Sequence, residues 1–324
     1  NILMINNSWF KKEKPIRGLS GYGGGATSLA YKSAPPVLWY GDRGVFAGGE
    51  SSGTSTSDEM GFVNITSTGN ASDFGNLTQG RHGLAGTSNG TRGIFAGGEA
   101  GGRSNVIDYI TISSAGNATD FGDLTEGRSW TSAASNMTRG VIAGGNDGSD
   151  VNTIDYVTIS STGNATDFGD LPAVQREMGG TSDGSRGVFG GGQNPSGHTN
   201  IIVYVALGTT GNASDFGDLT QARRHPAASS NTSGRGVFGG GGDPSRDTID
   251  YITIATTMNA TDFGNLTAAR NYPAGTSDGS RALFGSGTAS SNVIDYVTIS
   301  STGNATDFGD VQTARAGLGA CSGD

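Results

Sequence analysis

Apolar residues occur along this chain in short clusters, and glycine, asparagine and aspartate separate the clusters. Between Met178 and Leu219 there are four clusters, separated by Asp183-Gly184, by Gly190-Gly191-Gly192 and by Thr210-Gly211-Asn212. Such separators are typical of tight turns between β-strands. Glycine and asparagine recur too often for a helical period of about 3.6 residues to be sustained. The pattern therefore predicts four short strands in this stretch.

The four-strand unit is repeated along the chain. An arginine that opens the second strand recurs at intervals of 46 to 49 residues, at Arg43, Arg92, Arg139, Arg186, Arg235 and Arg281. Four strands in a unit of this length are typical of one blade of a β-propeller. We therefore predict an all-β protein in which residues 37–324 form a six-bladed propeller.

The two ends of the repeat region predict how the ring closes. The first unit begins at its second strand, with no clear first strand before it. Residues 316–324 resemble a first strand and its turn, and the chain then stops. We expect the C-terminal strand to complete the first blade, with residues 317–321 pairing against residues 39–47.

Three further features are shared by the units. A double glycine follows the second strand at Gly48-Gly49, Gly97-Gly98, Gly144-Gly145, Gly191-Gly192 and Gly240-Gly241. The third strand carries an aromatic residue at Phe62, Tyr109, Tyr156, Tyr204, Tyr251 and Tyr296. The fourth carries Phe74, Phe121, Phe168, Phe216, Phe263 and Phe308. In these features the chain resembles the kelch-repeat family of β-propellers, although kelch units have tryptophan where this chain has the fourth-strand phenylalanine.

A second set of arginines opens each new unit, at Arg81, Arg128, Arg176, Arg223, Arg270 and Arg315. The regular spacing of both sets favours a structural role over an anion-binding channel. We expect them to pair with strand carbonyls or with the fourth-strand carboxylates Asp73, Asp120, Asp167, Asp215, Asp262 and Asp307.

Residues 1–36 do not fit the repeat and are predicted to be an extended, glycine-rich tail or anchor. The candidate anchoring residues are Trp9, Phe10, Lys11, Lys12 and Lys14. This segment resembles the N-terminal segments of structural proteins of marine tailed bacteriophages, especially cyanophages. The repeat text IDYVTISSTGNATDFGDL is similar to kelch-like repeats of the same proteins. The resemblance implies a component of the phage particle, such as a tail fibre, tail-tip or decoration protein.

Composition excludes several other classes of protein. Glycine contributes 58 of 324 residues, without the three-residue period of collagen. The formal net charge of −9 argues against nucleic-acid binding. Cys321 is the sole cysteine, which excludes an internal disulfide framework and a thiolate zinc site. No apolar run is long enough for a membrane-spanning helix.

Comparison of the six units separates a varied face from a constant one. The turns between strands 1 and 2 and between strands 3 and 4 are nearly copied, whereas the loops between strands 2 and 3 differ. The residues after the unit-opening arginine differ as well. Loops on a rigid scaffold carry binding, so we expect a partner-binding surface on the varied face. The candidates are His82, Trp130, Met178, His225 and Tyr272; drift on an unused face is the alternative.

Catalytic chemistry finds little support in the sequence. The three histidines, His82, His198 and His225, lie in different repeat contexts, and no HExxH, GxSxG or Walker motif is present. We therefore predict a non-enzymatic protein with no cofactor and no metal.

Two functions remain as predictions. The first is a virion structural protein that contacts other virion proteins through its N-terminal segment and a host glycan or surface protein through its varied face. The second is a secreted or cellular kelch propeller that binds glycan or protein, with an extracellular location. An oxidase or lyase on the same scaffold is a distant third, and the oligomeric state is open.

Overall fold

The computed structural model describes residues 41–51, 55–287 and 291–323. Every regular element in these ranges is a β-strand. The strands of the first half are β1 (Arg43–Ala47), β2 (Glu50–Ser51), β3 (Ser55–Thr56), β4 (Glu59–Asn64), β5 (Ser72–Asn76), β6 (Ala85–Ser88), β7 (Arg92–Ala96), β8 (Val106–Thr111), β9 (Thr119–Asp123), β10 (Ser132–Ser135), β11 (Arg139–Ala143), β12 (Thr153–Thr158), β13 (Thr166–Asp170) and β14 (Gly179–Ser182). Those of the second half are β15 (Arg186–Gly190), β16 (Gln193–Asn194), β17 (Gly197–His198), β18 (Ile201–Ala206), β19 (Ser214–Asp218), β20 (Ala227–Ser230), β21 (Arg235–Gly239), β22 (Arg246–Thr253), β23 (Thr261–Arg270), β24 (Ala274–Ser277), β25 (Arg281–Gly285), β26 (Val293–Thr298), β27 (Thr306–Asp310) and β28 (Gly319–Gly323). Within these described ranges, no helix could cross a membrane.

The strands form six four-stranded antiparallel blades, as predicted. Their strand orders are β28-β1-β4-β5, β6-β7-β8-β9, β10-β11-β12-β13, β14-β15-β18-β19, β20-β21-β22-β23 and β24-β25-β26-β27, here called blades 1 to 6. The first strand of each order is the inner strand and the last is the outer strand. Consecutive inner strands contact one another around a closed ring, in which β28 lies between β24 and β6. The chain is thus a six-bladed β-propeller.

Closure by the C-terminal strand is confirmed. β28 pairs antiparallel with β1, with Cys321 opposite Val45 and Ala320 opposite Phe46. The strand covers residues 319–323, two residues later than predicted, because Gly317 belongs to the linker before it and has a φ of 67°. Trp39, which was expected to take part in the pairing, lies outside the described residues, as do residues 1–36.

The core lies between neighbouring blades. Ile94, Ile107 and Phe121 of blade 2 pack with Val157 and Ile159 of blade 3, and the other interfaces are built in the same way. Each fourth-strand phenylalanine is about 2% exposed and meets the third-strand aromatic ring of its own blade edge to face, with centroids 6.0–6.1 Å apart. Burial of these rings holds the two outermost strands of a blade to the neighbouring blade.

The second-strand arginines join adjacent blades. Arg92 donates from Nη1 to the carbonyl oxygen of Ile159 in the next blade at 3.1 Å, and its guanidinium lies 4.4 Å from the ring centroid of Tyr109. Arg43, Arg139, Arg186, Arg235 and Arg281 donate to the equivalent carbonyls of the following blades. The predicted pairing with strand carbonyls is therefore confirmed for this set.

Five of the six unit-opening arginines are buried, and their carboxylate partners differ from those predicted. Arg128 lies 2.7 Å from Asp155 of the third strand, and Thr125 donates from Oγ1 and from its backbone N–H to the same carboxylate. The pairs Arg81–Asp108, Arg223–Asp250 and Arg270–Asp295 repeat this arrangement. The fourth-strand aspartates Asp73, Asp120, Asp167, Asp215, Asp262 and Asp307 are exposed instead. Charges on an outer strand discourage pairing with another sheet edge.

Blade 4 departs from this arrangement in three coordinated positions. Gln175, and not Arg176, takes the place of the buried arginine. It lies four residues after Leu171, which is the spacing between leucine and buried arginine in most of the other repeats. Val203 takes the place of the aspartate, and Pro172 takes the place of the threonine. Proline has no N–H to donate, so it leaves no donor unpaired beside the apolar Val203. The assignment of Arg176 to the repeated set was therefore wrong by one residue.

Six serines at the ends of the inner strands form a closed ring of hydrogen bonds around the central channel. Each hydroxyl donates to the backbone carbonyl of the serine in the preceding blade at 2.6–2.8 Å: Ser88 to Ser322, Ser135 to Ser88, Ser182 to Ser135, Ser230 to Ser182, Ser277 to Ser230 and Ser322 to Ser277. Ser322 belongs to the closing strand, so the ring is complete only when β28 is in place.

Removal of residues 316–324 should open the ring. The deletion takes away β28 and exposes Val45 and Phe46, which are fully buried in the intact protein. We expect loss of a single cooperative thermal transition. A permuted chain that carries residues 316–324 directly before residue 37 should restore it, and a deleted chain that melts like the full one would rule out this closure.

The blade 4 arrangement should transfer to blade 3. Arg128→Gln or Asp155→Val alone leaves a buried charge without its partner, a change that costs about 3–5 kcal/mol. The triple variant Thr125→Pro/Arg128→Gln/Asp155→Val copies blade 4 and should cost much less than the sum of the single substitutions. Urea denaturation measures each free energy of unfolding. Additive losses in the triple variant would show that the three positions are independent.

Candidate recognition site at the channel mouth

Six equivalent linker residues form a ring around one end of the channel, here called the mouth ring. The chain passes from each outer strand to the next inner strand through a residue with φ between 49° and 67°, namely Gly83, Trp130, Glu177, His225, Tyr272 and Gly317. Five backbone hydrogen bonds of 2.6–3.4 Å link these residues around the axis, for example from the Trp130 N–H to the Gly83 carbonyl. Residues other than glycine are rare in this left-handed backbone conformation, and those that adopt it cluster at functional sites. Four of the six positions nevertheless carry large polar or aromatic residues.

Trp130 lies across the mouth ring. Its indole packs against Gly83 and Gly317, where an added Cβ would come within 2.8 Å and 3.1 Å of the ring. The indole also meets the rings of His225 and Tyr272, with centroids 4.6 Å and 5.4 Å away. His225 and Tyr272 are themselves 4.1 Å apart. The two glycines therefore make room for an aromatic cluster that covers the end of the channel.

His82 extends the aromatic cluster on the other side of Trp130. Its ring centroid is 5.1 Å from that of the indole, and its Nε2 is 3.8 Å from a carboxylate oxygen of Glu50. His82 is the residue after the buried Arg81 and precedes the mouth ring by one position. The predicted candidates His82, Trp130, His225 and Tyr272 are thus brought together at one site.

Met178 does not belong to this surface. It is 6% exposed and packs in the core with Leu171 and Phe189. The mouth-ring position of blade 4 is Glu177, which sequence comparison missed because blade 4 was aligned on Arg176. Alignment on Leu171 would have placed Glu177 opposite Trp130. The other candidates, Trp9, Phe10, Lys11, Lys12 and Lys14, lie outside the described residues.

A charged network surrounds Glu177. This carboxylate is 4% exposed, lies 3.2 Å from His225 Nε2 and 3.3 Å from Arg176 Nε, and is 3.7 Å from Arg224. Each arginine has a second acidic partner, Asp150 at 2.7 Å from Arg176 and Asp243 at 3.1 Å from Arg224. Both guanidinium groups are therefore shared between two carboxylates at the rim of the mouth.

Burial and charge shift the titration of this network. Burial by itself raises the pKa of Glu177, but His225, Arg224 and Arg176 together outweigh it and hold that pKa below the ordinary value of 4.5. Burial lowers the pKa of His225 below 6.5, and the opposing influence of Glu177 does not restore it. Burial also raises the pKa of the Tyr272 hydroxyl. At neutral pH the mouth therefore holds an ionised Glu177 beside a neutral His225.

Several polar atoms of the mouth have no hydrogen bond of acceptable geometry. They include Glu177 Oε2, His225 Nε2, His82 Nδ1 and the Nε atoms of Arg176 and Arg224. A buried polar atom left without a partner costs about 1–3 kcal/mol, and such atoms call for an explanation in the function of the protein. Unpaired nitrogens of the same kind occur on the buried repeat arginines, including Arg81, Arg128 and Arg223, so they are not confined to the mouth.

The varied loops reach the same face as the mouth ring, as predicted. His82 pairs with Glu99 after β7, Ser129 with Asn146 after β11, and Arg176 with Gln193 of β16. Glu50 of β2 pairs in the same way with Ala316. The loop between the second and third strands of each of these blades therefore borders the linker that carries the mouth residue.

The single cysteine lies inside the channel wall. Cys321 is buried in the closing strand, and burial raises the pKa of its thiol to about 12. A thiol with this pKa is protonated at neutral pH and is a poor nucleophile. Across residues 41–51, 55–287 and 291–323, no group of three or more His, Cys, Asp or Glu side chains is arranged to hold a metal ion.

The fold places the chain among the six-bladed β-propellers. The sequence matches no protein-family model, and no curated protein matches it. The mouth ring, with its aromatic cluster and its charged network, is the site that distinguishes this propeller from a scaffold of six equal blades.

Acid should destabilise the protein through His225. The pKa of His225 is lower in the folded than in the unfolded chain, so the unfolded chain binds the proton more readily and stability falls as pH drops below about 6.5. Glu177 adds a further loss below about 4.5, since its pKa is also lowered on folding. Melting temperatures between pH 7.5 and 5.5 should fall less for His225→Asn than for the unmodified protein. An equal fall in melting temperature in His225→Asn and in the unmodified protein would contradict this assignment.

Proposed function

We propose that this chain is a non-enzymatic structural protein of a tailed-phage particle, such as a tail fibre, tail-tip or decoration protein, and that its channel mouth recognises a host-surface molecule or glycan. The observation that carries the recognition role is the mouth ring. Trp130, Glu177, His225 and Tyr272 differ from one another at equivalent positions, on a scaffold whose strands and constant turns are near copies.

The repeated parts of the blade have structural roles that account for their uniformity. The second-strand arginines join blades, the buried arginine pairs hold the third strands, and the serine ring lines the channel. None of these roles requires the mouth residues to differ. Four unlike side chains held in a strained backbone conformation are better explained by selection for binding.

The particle assignment rests on the sequence. The six-bladed ring is compatible with a kelch-type propeller, and the repeat text resembles kelch-like repeats of marine phage structural proteins. In this proposal residues 1–36 attach the propeller to other virion proteins, while the mouth remains free to bind the host-surface molecule or glycan.

Purified particles test the assignment. Particles of the phage that encodes this chain should contain it after density-gradient purification, as measured by quantitative mass spectrometry, and should retain it after high-salt washing. Absence from washed particles, together with binding of the isolated protein to glycans or cell-surface proteins, would replace the proposal with a secreted or cellular kelch propeller.

A further inference from the structure

The chemistry of the mouth restricts what can bind there. Its centre is the partly exposed aromatic cluster of Trp130 and Tyr272, and its rim holds Arg176 and Arg224, each paired with two carboxylates. A ligand that matches this site needs an apolar face for the rings and polar groups around its edge. The following argument deepens the proposed recognition function and depends on it.

An anionic ligand fits the site poorly. The positive charges of Arg176 and Arg224 are already balanced by Glu177, Asp150 and Asp243, so with His225 neutral these groups carry no excess positive charge. An added anion would have to displace one of the carboxylates. The 2.7 Å contact between Arg176 and Asp150 is a close, charge-assisted hydrogen bond that resists such displacement.

A cationic ligand also fits poorly. An aromatic cage for a cation needs open space between the rings that surround the charge. Here His225 packs 4.6 Å from Trp130 and 4.1 Å from Tyr272, which closes the space between the rings. The guanidinium of Arg224 already lies 5.5 Å from the Tyr272 ring and would repel a second positive charge.

A neutral polyhydroxylated ring matches both the centre and the rim. The C–H face of a saccharide packs on the face of an aromatic ring, which carries partial negative charge. A guanidinium beside a carboxylate offers a donor and an acceptor side by side to neighbouring hydroxyl groups. Glu177 is enclosed, with its Oε2 3.2 Å from His225 Nε2, and it holds Arg176 and Arg224 in place. The exposed acceptor beside Arg224 is the carboxylate of Asp243.

The ligand must lie on the mouth and not inside the channel. The cavity at this end of the channel is about 90 Å³, and its lining includes Trp130, Glu177, His225 and Tyr272 together with glycine and alanine of the inner strands. A cavity that encloses benzene measures about 150 Å³, so this one is too small to enclose a sugar ring. Trp130 also lies across this end of the channel. The outer surface of the cluster is therefore the binding surface.

We propose that the channel mouth binds a neutral saccharide, which stacks on Trp130 and Tyr272 and hydrogen-bonds through its hydroxyl groups to Arg224, Arg176 and the exposed carboxylate of Asp243. Apart from Asp243, the side chains come from the linkers before blades 3 to 6, and the indole of Trp130 extends the stacking surface across the ring to Gly83 and Gly317. The bordering loops, including that of β16 and β17, would contact the sugars that follow in a longer glycan.

Binding to the full chain can be measured by isothermal titration calorimetry and saturation-transfer NMR. The probes are the methyl glycosides of galactose, glucose, mannose and N-acetylglucosamine, with sialyllactose as the anionic and choline as the cationic comparison. We expect saturable binding of at least one neutral glycoside and weaker binding of sialyllactose and of choline. Failure of all four neutral glycosides to bind, or a clear preference for sialyllactose or choline, would overturn the proposal.

Matched variants locate the site. Trp130→Gly copies Gly83 and Gly317 and should reduce affinity at least tenfold; Glu177→Gln should also weaken binding. Arg224→Lys keeps the charge but loses the planar pair of donors, and it tests the site if Trp130→Gly does not fold. Met137→Gly, at the opposite end of the channel, copies Gly90, Gly184 and Gly279 and should bind like the unmodified protein. Unchanged binding in both Trp130→Gly and Arg224→Lys would show that the sugar binds elsewhere and would refute the mouth as its binding site.

The outcomes separate this inference from the proposed function. Sugar binding at the mouth of a protein that is absent from virions would leave the saccharide site standing and refute the particle assignment. The protein could instead be present in virions and lose attachment to cells in Trp130→Gly, with no inhibition of attachment by any neutral glycoside. That result would point to a protein ligand and would refute the saccharide proposal.

Discussion

The whole structure depends on the pairing of β28 with β1. The two strands are separated by nearly the full length of the propeller in sequence, and yet they lie side by side in blade 1. Every blade requires a neighbouring blade on both sides, because the core lies between blades and not within them. Without the closing strand, the interfaces on either side of blade 1 lose part of their apolar surface, and the serine ring loses Ser322.

The side chains that cross between blades extend this dependence around the ring. Arg281 of blade 6 donates to the carbonyl of Ile65 in blade 1, as each earlier second-strand arginine does to the next blade. The asparagine of each constant turn acts in the same direction: Asn117 Oδ1 accepts from the backbone N–H of Asn76, and Asn70 from that of Asp310. A blade is therefore a unit of the sequence, whereas the unit of stability is a pair of neighbouring blades.

Sequence reasoning predicted the features that short-range chemistry determines. Asp183 was expected to form a turn, and its carboxylate accepts from the N–H groups of Ser185 and Arg186. The repeat gave the number of blades, and the incomplete first and last units gave the closure. Sequence reasoning failed where the pairing partner of a residue depends on which side of a strand faces inward. Arg128 pairs with Asp155 and not with the exposed Asp167, a distinction that residue spacing alone does not make.

The mouth was predicted only in part, for a related reason. His82, Trp130, His225 and Tyr272 were found because they vary after a repeated arginine. Glu177 was missed because an unrelated arginine, Arg176, occupies the neighbouring position in blade 4. The left-handed backbone conformation shared by the six mouth residues has no signature in side chains as different as tryptophan and glutamate. Alignment of the repeats on Leu171 makes Glu177 equivalent to Trp130, but only the three-dimensional structure shows that the six positions form a ring.

The register of the closing strand has a mechanical consequence. Arg43, where β1 begins, pairs with Gly323, where β28 ends. A force that pulled apart the segments flanking the propeller would therefore load these two strands at one end, as in a zipper, and would break their backbone hydrogen bonds one after another. A propeller of this design withstands tension best when it is tethered through one end of its chain.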